Sequence, residues 1–141
     1  DAADVAHARH IRQREDAVEE LARHPRRPLD QLLAMMDIFE REQLIERAAQ
    51  MSSYFLDGVF SLSDLPGVCD IRGIGMMAAI ELDADPKAPG ARGHDAQKAL
   101  YDAGLNLKST GDSLILAPPF VAERAHIDEI VGKLRQTLAA R

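Results

Sequence analysis

The chain has 141 residues, 46% of them hydrophobic, which suffices for one compact domain with a core of ordinary size. Its formal net charge of -6, with both signs interspersed, argues against a nucleic-acid or anionic-membrane surface, because each needs a concentrated positive field. No apolar run approaches the roughly 18 residues of a membrane span and the first residues lack the core of a signal peptide, so a soluble protein is expected.

Residues 1–29 read as a leader. They are rich in Ala, Arg, His, Asp and Glu, and Ala17, Val18 and Leu21 give at most a short apolar stripe, so the segment is expected to be helical or disordered. His7 and His10 lie about one helical turn apart, but no third ligand lies nearby, and a solvated helix face is the expected role. Pro25 and Pro28 flank Arg26 and Arg27, which places a linker here and a boundary near Pro28.

From Asp30, a candidate N-cap, apolar residues recur at three- and four-residue intervals from Leu32 to Phe55. The spacing predicts one long amphipathic helix with Glu40, Arg41, Glu46 and Arg47 outward. Asp64 to Gly67 form a turn, after which residues 68–74 and 76–82 are apolar and β-prone, two strands joined at Gly75. Gly73 and Gly75 lack the third glycine and following helix of a phosphate-binding loop, so a bend or bulge is expected. Cys69, the sole cysteine, can form no internal disulfide; its place in an apolar strand predicts a small buried residue and a cytoplasmic setting.

Pro86, Pro89, Gly90 and Gly93 make residues 83–93 a surface loop, followed by a helix over 94–103 that ends at Gly104. Residues 106–109 and 113–117 then flank Gly111 and Asp112, a pair suited to a tight hairpin turn, and Pro118-Pro119 ends the second strand. On this reading Asp112 and Ser113 are turn residues. Ile127, Ile130, Val131, Leu134 and Leu138 trace one face of a final helix, with Glu123, Arg124, Glu129 and Arg135 on its solvated side. The order α-β-β-α-β-β-α predicts an α+β fold, a small antiparallel or mixed four-stranded sheet covered by helices. Ser52, Ser53 and Ser109 show no accompanying base and acid, so nucleophilic hydrolysis has no signature.

Several pieces come in an order that resembles a known family. Asp37-Ile-Phe-Glu-Arg-Glu, Val68-Cys-Asp-Ile-Arg-Gly-Ile-Gly-Met-Met-Ala-Ala-Ile-Glu-Leu, Ala88-Pro-Gly-Ala-Arg-Gly, Gly111-Asp-Ser-Leu-Ile-Leu-Ala-Pro-Pro-Phe and Ala125-His-Ile-Asp-Glu-Ile are together similar to the C-terminal, smaller domain of class III, or omega, aminotransferases. The resemblance makes residues 30–141 that domain. It implies a pyridoxal-phosphate enzyme, usually dimeric, whose preceding large domain supplies the Schiff-base lysine and holds most of the cofactor.

None of Lys87, Lys98, Lys108 and Lys133 lies in a segment similar to the cofactor-lysine motif, so the chain alone is expected neither to bind the cofactor nor to transaminate. Lys108 stands where many omega-aminotransferases carry an arginine that swings to bind a substrate carboxylate. Lysine keeps the charge but loses the two-point grip of guanidinium, and a solvated lysine on a strand edge is the equal alternative. The resemblance implies keto acid and amine substrates in the full enzyme, with a large-domain chain or a second copy as partner. The alternative is a noncatalytic binding or oligomerisation module that kept the fold. His24-Pro25 departs from the family in being followed by Arg-Arg-Pro-Leu-Asp-Gln, and residues 1–29 are therefore expected to be foreign, rearranged or frameshifted sequence.

Overall fold

The structure is a computed structural model and describes residues 28–140. The expectations for the leader, including His7, His10 and the Arg26-Arg27 linker, lie outside the described residues. The chain divides into two compact units, Asp1–Glu42 and Gln43–Arg141.

In the first unit the described element is helix α1 (Pro28–Arg41). Asp30 lies in its first turn, not at its cap, where a carboxylate still faces the positive end of the helix dipole. Leu29, Leu32, Leu33, Met35 and Met36 are exposed.

The expected long helix is in fact two. Gln43 takes the left-handed conformation, φ 49°, and breaks the run before α2 (Leu44–Phe60) begins. The apolar spacing continues through the break, so periodicity alone could not register it. Four strands and two helices, β1 (Val68–Ile74), β2 (Met77–Leu82), α3 (Ala91–Asp102), β3 (Lys108–Thr110), β4 (Ser113–Leu116) and α4 (Arg124–Ala139), complete the second unit.

The strands form one sheet in the order β1-β2-β4-β3, with all three pairings antiparallel. The α+β expectation holds, and the sheet is antiparallel, not mixed. In register, Ile71 faces Ile80 and Ile80 faces Leu114, which sets one apolar row on one side of the sheet. Phe55, Val59 and Leu62 from α2 and its C-terminal turn, Leu100 from α3, and Ile127 and Leu134 from α4 close over that row. Each of these side chains is fully or almost fully buried, worth about 1.5–3 kcal/mol apiece in removed apolar surface. Close approaches need small residues: at Gly58 an added Cβ would meet Val131 Cγ2 at 3.0 Å, and at Gly73 it would collide with Leu56 Cδ2.

Two local expectations are corrected. Cys69 is exposed, because β1 is an edge strand and a bulge between Val68 and Asp70 leaves the thiol outside the paired ladder. Helix α3 starts at Ala91, three residues before the expected start, with Gly90 left-handed at φ 83° as its cap. Arg124 and Arg135 lie on the solvent side of α4 as expected and also make contacts there: Arg124 sits 4.8 Å from the centre of the Tyr54 ring, and Arg135 donates to the Ser61 carbonyl at 2.5 Å. Among the described residues no helix is long and apolar enough to cross a membrane.

Candidate functional site

The face of the sheet opposite the core has no buried residue. Alternation puts Ile74 and Met77, then Arg72, Ala79, Ile115 and Lys108, then Asp70, Glu81, Ser113 and Thr110 on that side. Arg72 and Lys108 occupy the same cross-strand row at its two ends, three strand spacings apart, roughly 14 Å between backbones.

The two cations differ in one respect. Arg72 donates to Asp70 Oδ2 at 2.7 Å and to Glu81 Oε2 at 3.0 Å, and those two carboxylates, Glu81 foremost, hold its guanidinium above its ordinary pKa. Ser113 Oγ donates to the same Glu81 oxygen. Lys108 is exposed, and among the described residues no carboxylate pairs with it. The charge of Arg72 is spent inside the molecule and that of Lys108 is available.

Lys108 is held from beneath. Gln97, on α3, donates from Nε2 to the Leu107 carbonyl at 2.9 Å and accepts from Ser109 Oγ at 2.7 Å. One amide therefore pins the residues on both sides of Lys108, and β3, only three residues long, is fixed by α3 as well as by β4. The pinning matters because a three-residue edge strand makes few ladder bonds of its own. Gln97 carried no signal in the sequence; a polar residue on the half-buried side of a helix is the only trace it leaves.

The hairpin carrying Lys108 is anchored at its turn. Asp112, expected to be a turn residue only, is buried, and its carboxylate accepts from Gly90 N at 2.8 Å and Gly93 N at 3.1 Å. These are free amides at the start of α3, so Asp112 caps that helix from a distant part of the chain. The Gly90 and then the Gly93 amides hold its carboxyl below the usual carboxylate range. Its own carbonyl accepts from Leu82 N at 3.0 Å, so β2, α3 and the β3–β4 turn meet at one residue.

Beside Lys108 runs a groove of about 650 Å³, lined by the chain entering β3 (residues 105–108), the chain leaving β4 (residues 115–119) and Ile130 of α4. Lys108 is the one charged residue in that lining and Asn106 the one amide. A smaller hollow of about 280 Å³ shares Leu105, Pro119 and Ile130 with it and holds His126, Glu129 and Lys133. Lys133 is committed, 2.6 Å from Glu129 and 3.3 Å from the Gly104 carbonyl, and it holds the Glu129 carboxyl below its ordinary pKa. His126 Nδ1 accepts from Glu123 N and so closes the capping box of α4. Lys87 and Lys98 are exposed on the 83–90 loop and on α3.

Comparison with known proteins identifies the family and the fold. Residues 30–138 match the profile of a family described as Aminotransferase class-III. An omega-aminotransferase of Caulobacter vibrioides is 38% identical over 106 residues, which are 75% of this chain and 24% of the relative. A transaminase solved with L-ala superposes with a TM-score of 0.72 at 29% identity, covering 77% of this chain and 27% of that one. The omega transaminase of Pseudomonas jessenii in complex with PMP gives 0.69 at 30% identity, over 74% of this chain and 24% of that one. The chain thus spans about a quarter of the length of the curated relatives it matches.

Proposed function

Because the chain belongs to the class III aminotransferases, we propose that it is the smaller, C-terminal domain of such an enzyme and that it presents Lys108 to the carboxylate of a keto acid or amino acid substrate. The observation that carries this reading is the contrast between Lys108 and Arg72, two cations on one open sheet face of which one alone is left uncompensated. A carboxylate meeting Lys108 displaces no internal partner. Gln97 supplies the positioning, and the open face is where a second domain would enclose the substrate.

The family's cofactor, pyridoxal phosphate, supplies an electron sink for moving the amino group. Among the described residues no lysine suits its Schiff base. Lys87, Lys98 and Lys108 are exposed and Lys133 is paired with Glu129, so none is the desolvated amine that a Schiff base requires. The reading therefore gives the chain substrate contacts and domain closure, with the cofactor held by a large-domain partner. A cytoplasmic setting and a dimeric assembly belong to the same reading.

A noncatalytic interaction module is the second reading. It is favoured by the exposed apolar residues of α1, Leu29 at 63% and Leu33 at 51%, which invite a partner of some kind.

Absorbance and borohydride trapping of pyridoxal phosphate separate the two. The chain alone should trap none, and addition of a large-domain chain should give trapping on that partner's lysine. In the reconstituted enzyme Lys108→Ala should raise the KM for the keto acid about tenfold or more, and Lys108→Arg should preserve or lower it. Trapping on a lysine of this chain alone, or no KM change in Lys108→Ala, would overturn the assignment.

A further inference from the structure

Asp83 and Arg92 line a hollow that the aminotransferase reading does not use. Its volume of about 450 Å³ lies within the roughly 300–1,000 Å³ typical of sites for small organic ligands. Its walls are Pro66 and Gly67 before β1, Leu82 and Asp83 at the end of β2, Arg92 in the first turn of α3 and Leu138 in the last turn of α4. Leu82 and Leu138 belong to the buried core, and α3 and α4 are helices that cover the core face of the sheet. The hollow is therefore on the helical side, and its lining does not depend on what encloses the open face bearing Arg72 and Lys108.

The two charged side chains of the lining are opposite in sign and unpaired. Asp83 and Arg92 are both exposed, and among the described residues neither makes an ion pair with the other or with a third group. Asp112, whose carboxyl the Gly90 and Gly93 amides hold below the usual range, also feels the Arg92 charge, but its oxygens are already committed to those two amides. Asp83 is fixed at the rim by its own amide, which donates to the Gly67 carbonyl at 2.9 Å. Pro66, Leu82 and Leu138 add hydrocarbon to the same lining. A simple anion drawn to Arg92 meets the like charge of Asp83, and a simple cation drawn to Asp83 meets that of Arg92. A ligand that carries both charges and an apolar body is repelled by neither.

We propose that this hollow binds the zwitterion of an aliphatic α-amino acid, its carboxylate on the Arg92 guanidinium, its ammonium on the Asp83 carboxylate and its side chain against Pro66, Leu82 and Leu138. The site is distinct from Lys108 and does not rest on the reading of that residue as a carboxylate contact.

The test is an amide chemical-shift titration of the full chain with leucine, isocaproate, isoamylamine and glycine. Leucine should perturb residues 67, 82, 83, 92 and 138. Isocaproate, which lacks the ammonium, and isoamylamine, which lacks the carboxylate, should each bind about threefold to fivefold more weakly, the scale of one exposed ion pair. Glycine, which lacks the side chain, should bind about tenfold more weakly or worse. Asp83→Asn keeps the backbone bond to Gly67 and should weaken leucine by about threefold to fivefold while strengthening isocaproate, whose carboxylate is no longer repelled. Arg92→Gln should weaken leucine to the same degree and strengthen isoamylamine. Equal affinities for leucine and both single-charge analogues, an unchanged leucine affinity in Asp83→Asn, shifts centred on residues 105–108, or no shifts at about 20 mM leucine would each overturn the proposal.

Discussion

The carboxylate of Asp112 accepts the backbone amide of Gly93 at 3.1 Å, and Gly93 is a glycine because the turn bearing Asp112 comes so close: an added Cβ would lie 2.9 Å from Asp112 Cα and collide with the Gly111 carbonyl oxygen. The two residues are a matched pair. A side chain at position 93 would push away the residue that caps its helix.

Gly93→Ala should therefore destabilise the protein by about 1–3 kcal/mol, the cost of overpacking against backbone that cannot rotate aside. Gly132→Ala is the control. Nothing lies within 4 Å of a Cβ there, in the middle of α4, and the change should stabilise by about 0.5–1 kcal/mol. Urea unfolding of both variants reads the contrast, and equal effects would refute the close-approach argument.

Asp112 makes the fold sensitive to acid. Its carboxyl is held below the usual range in the folded state, so the stabilisation it gives is present above the unfolded carboxylate value of about 3.9 and is lost as pH falls through the lower folded value. Thermal melts from pH 6 downward, about pH 6 to pH 2, should show Tm falling at the acid end. Asp112→Asn should have a lower Tm at neutral pH and a shallower acid slope. A slope identical to that of the parent chain would show that other carboxylates set the acid limit.

Gln97→Ala should loosen β3 without unfolding the domain. It frees the Leu107 carbonyl and the Ser109 hydroxyl, a loss of about 1–2 kcal/mol, so amide exchange in β3 should quicken by about 5–30-fold. Amides of α2, which has no contact with Gln97 in this network, should keep their protection. Uniform acceleration across both elements would indicate global destabilisation and remove the positioning role.

Ile80 and Ile74 test the two faces of the sheet. Ile80 is fully buried, and Ile80→Ala should cost about 2–5 kcal/mol. Ile74 is 81% exposed at the β1–β2 hairpin, and Ile74→Ala should change stability by no more than about 0.5 kcal/mol. A large loss at Ile74 in the isolated chain would mean that the open face is covered by another copy.

Much of the fold was legible from residues 44–140. Alternation in 77–82 and 113–116, the positive φ of Gly75 and Gly111 at the two hairpin turns, and the three- and four-residue spacing of Ile127 to Leu138 are local signals, and local signals are what a strand, turn or helix needs. The break at Gln43 was not legible, because a single left-handed residue leaves the apolar spacing on either side intact. Cys69 was misread because an apolar neighbourhood does not say whether a strand lies at the edge of its sheet, and the bulge beside it is a property of pairing with β2.

The sequence by itself determined the four strands, the last two helices, their order and the family, since these are carried by short-range pattern and by motifs in linear order. It also marked Lys108 as the residue to watch. Tertiary structure alone decided what surrounds it. That Arg72 is neutralised by Glu81 across the sheet while Lys108 is not, that Gln97 grips the chain on either side of Lys108, and that Asp112 caps a helix through the amide of Gly93, 19 residues earlier, are all contacts between residues apart in sequence. Such contacts exist only once the sheet has brought those segments within hydrogen-bonding distance, and no spacing along the chain encodes them.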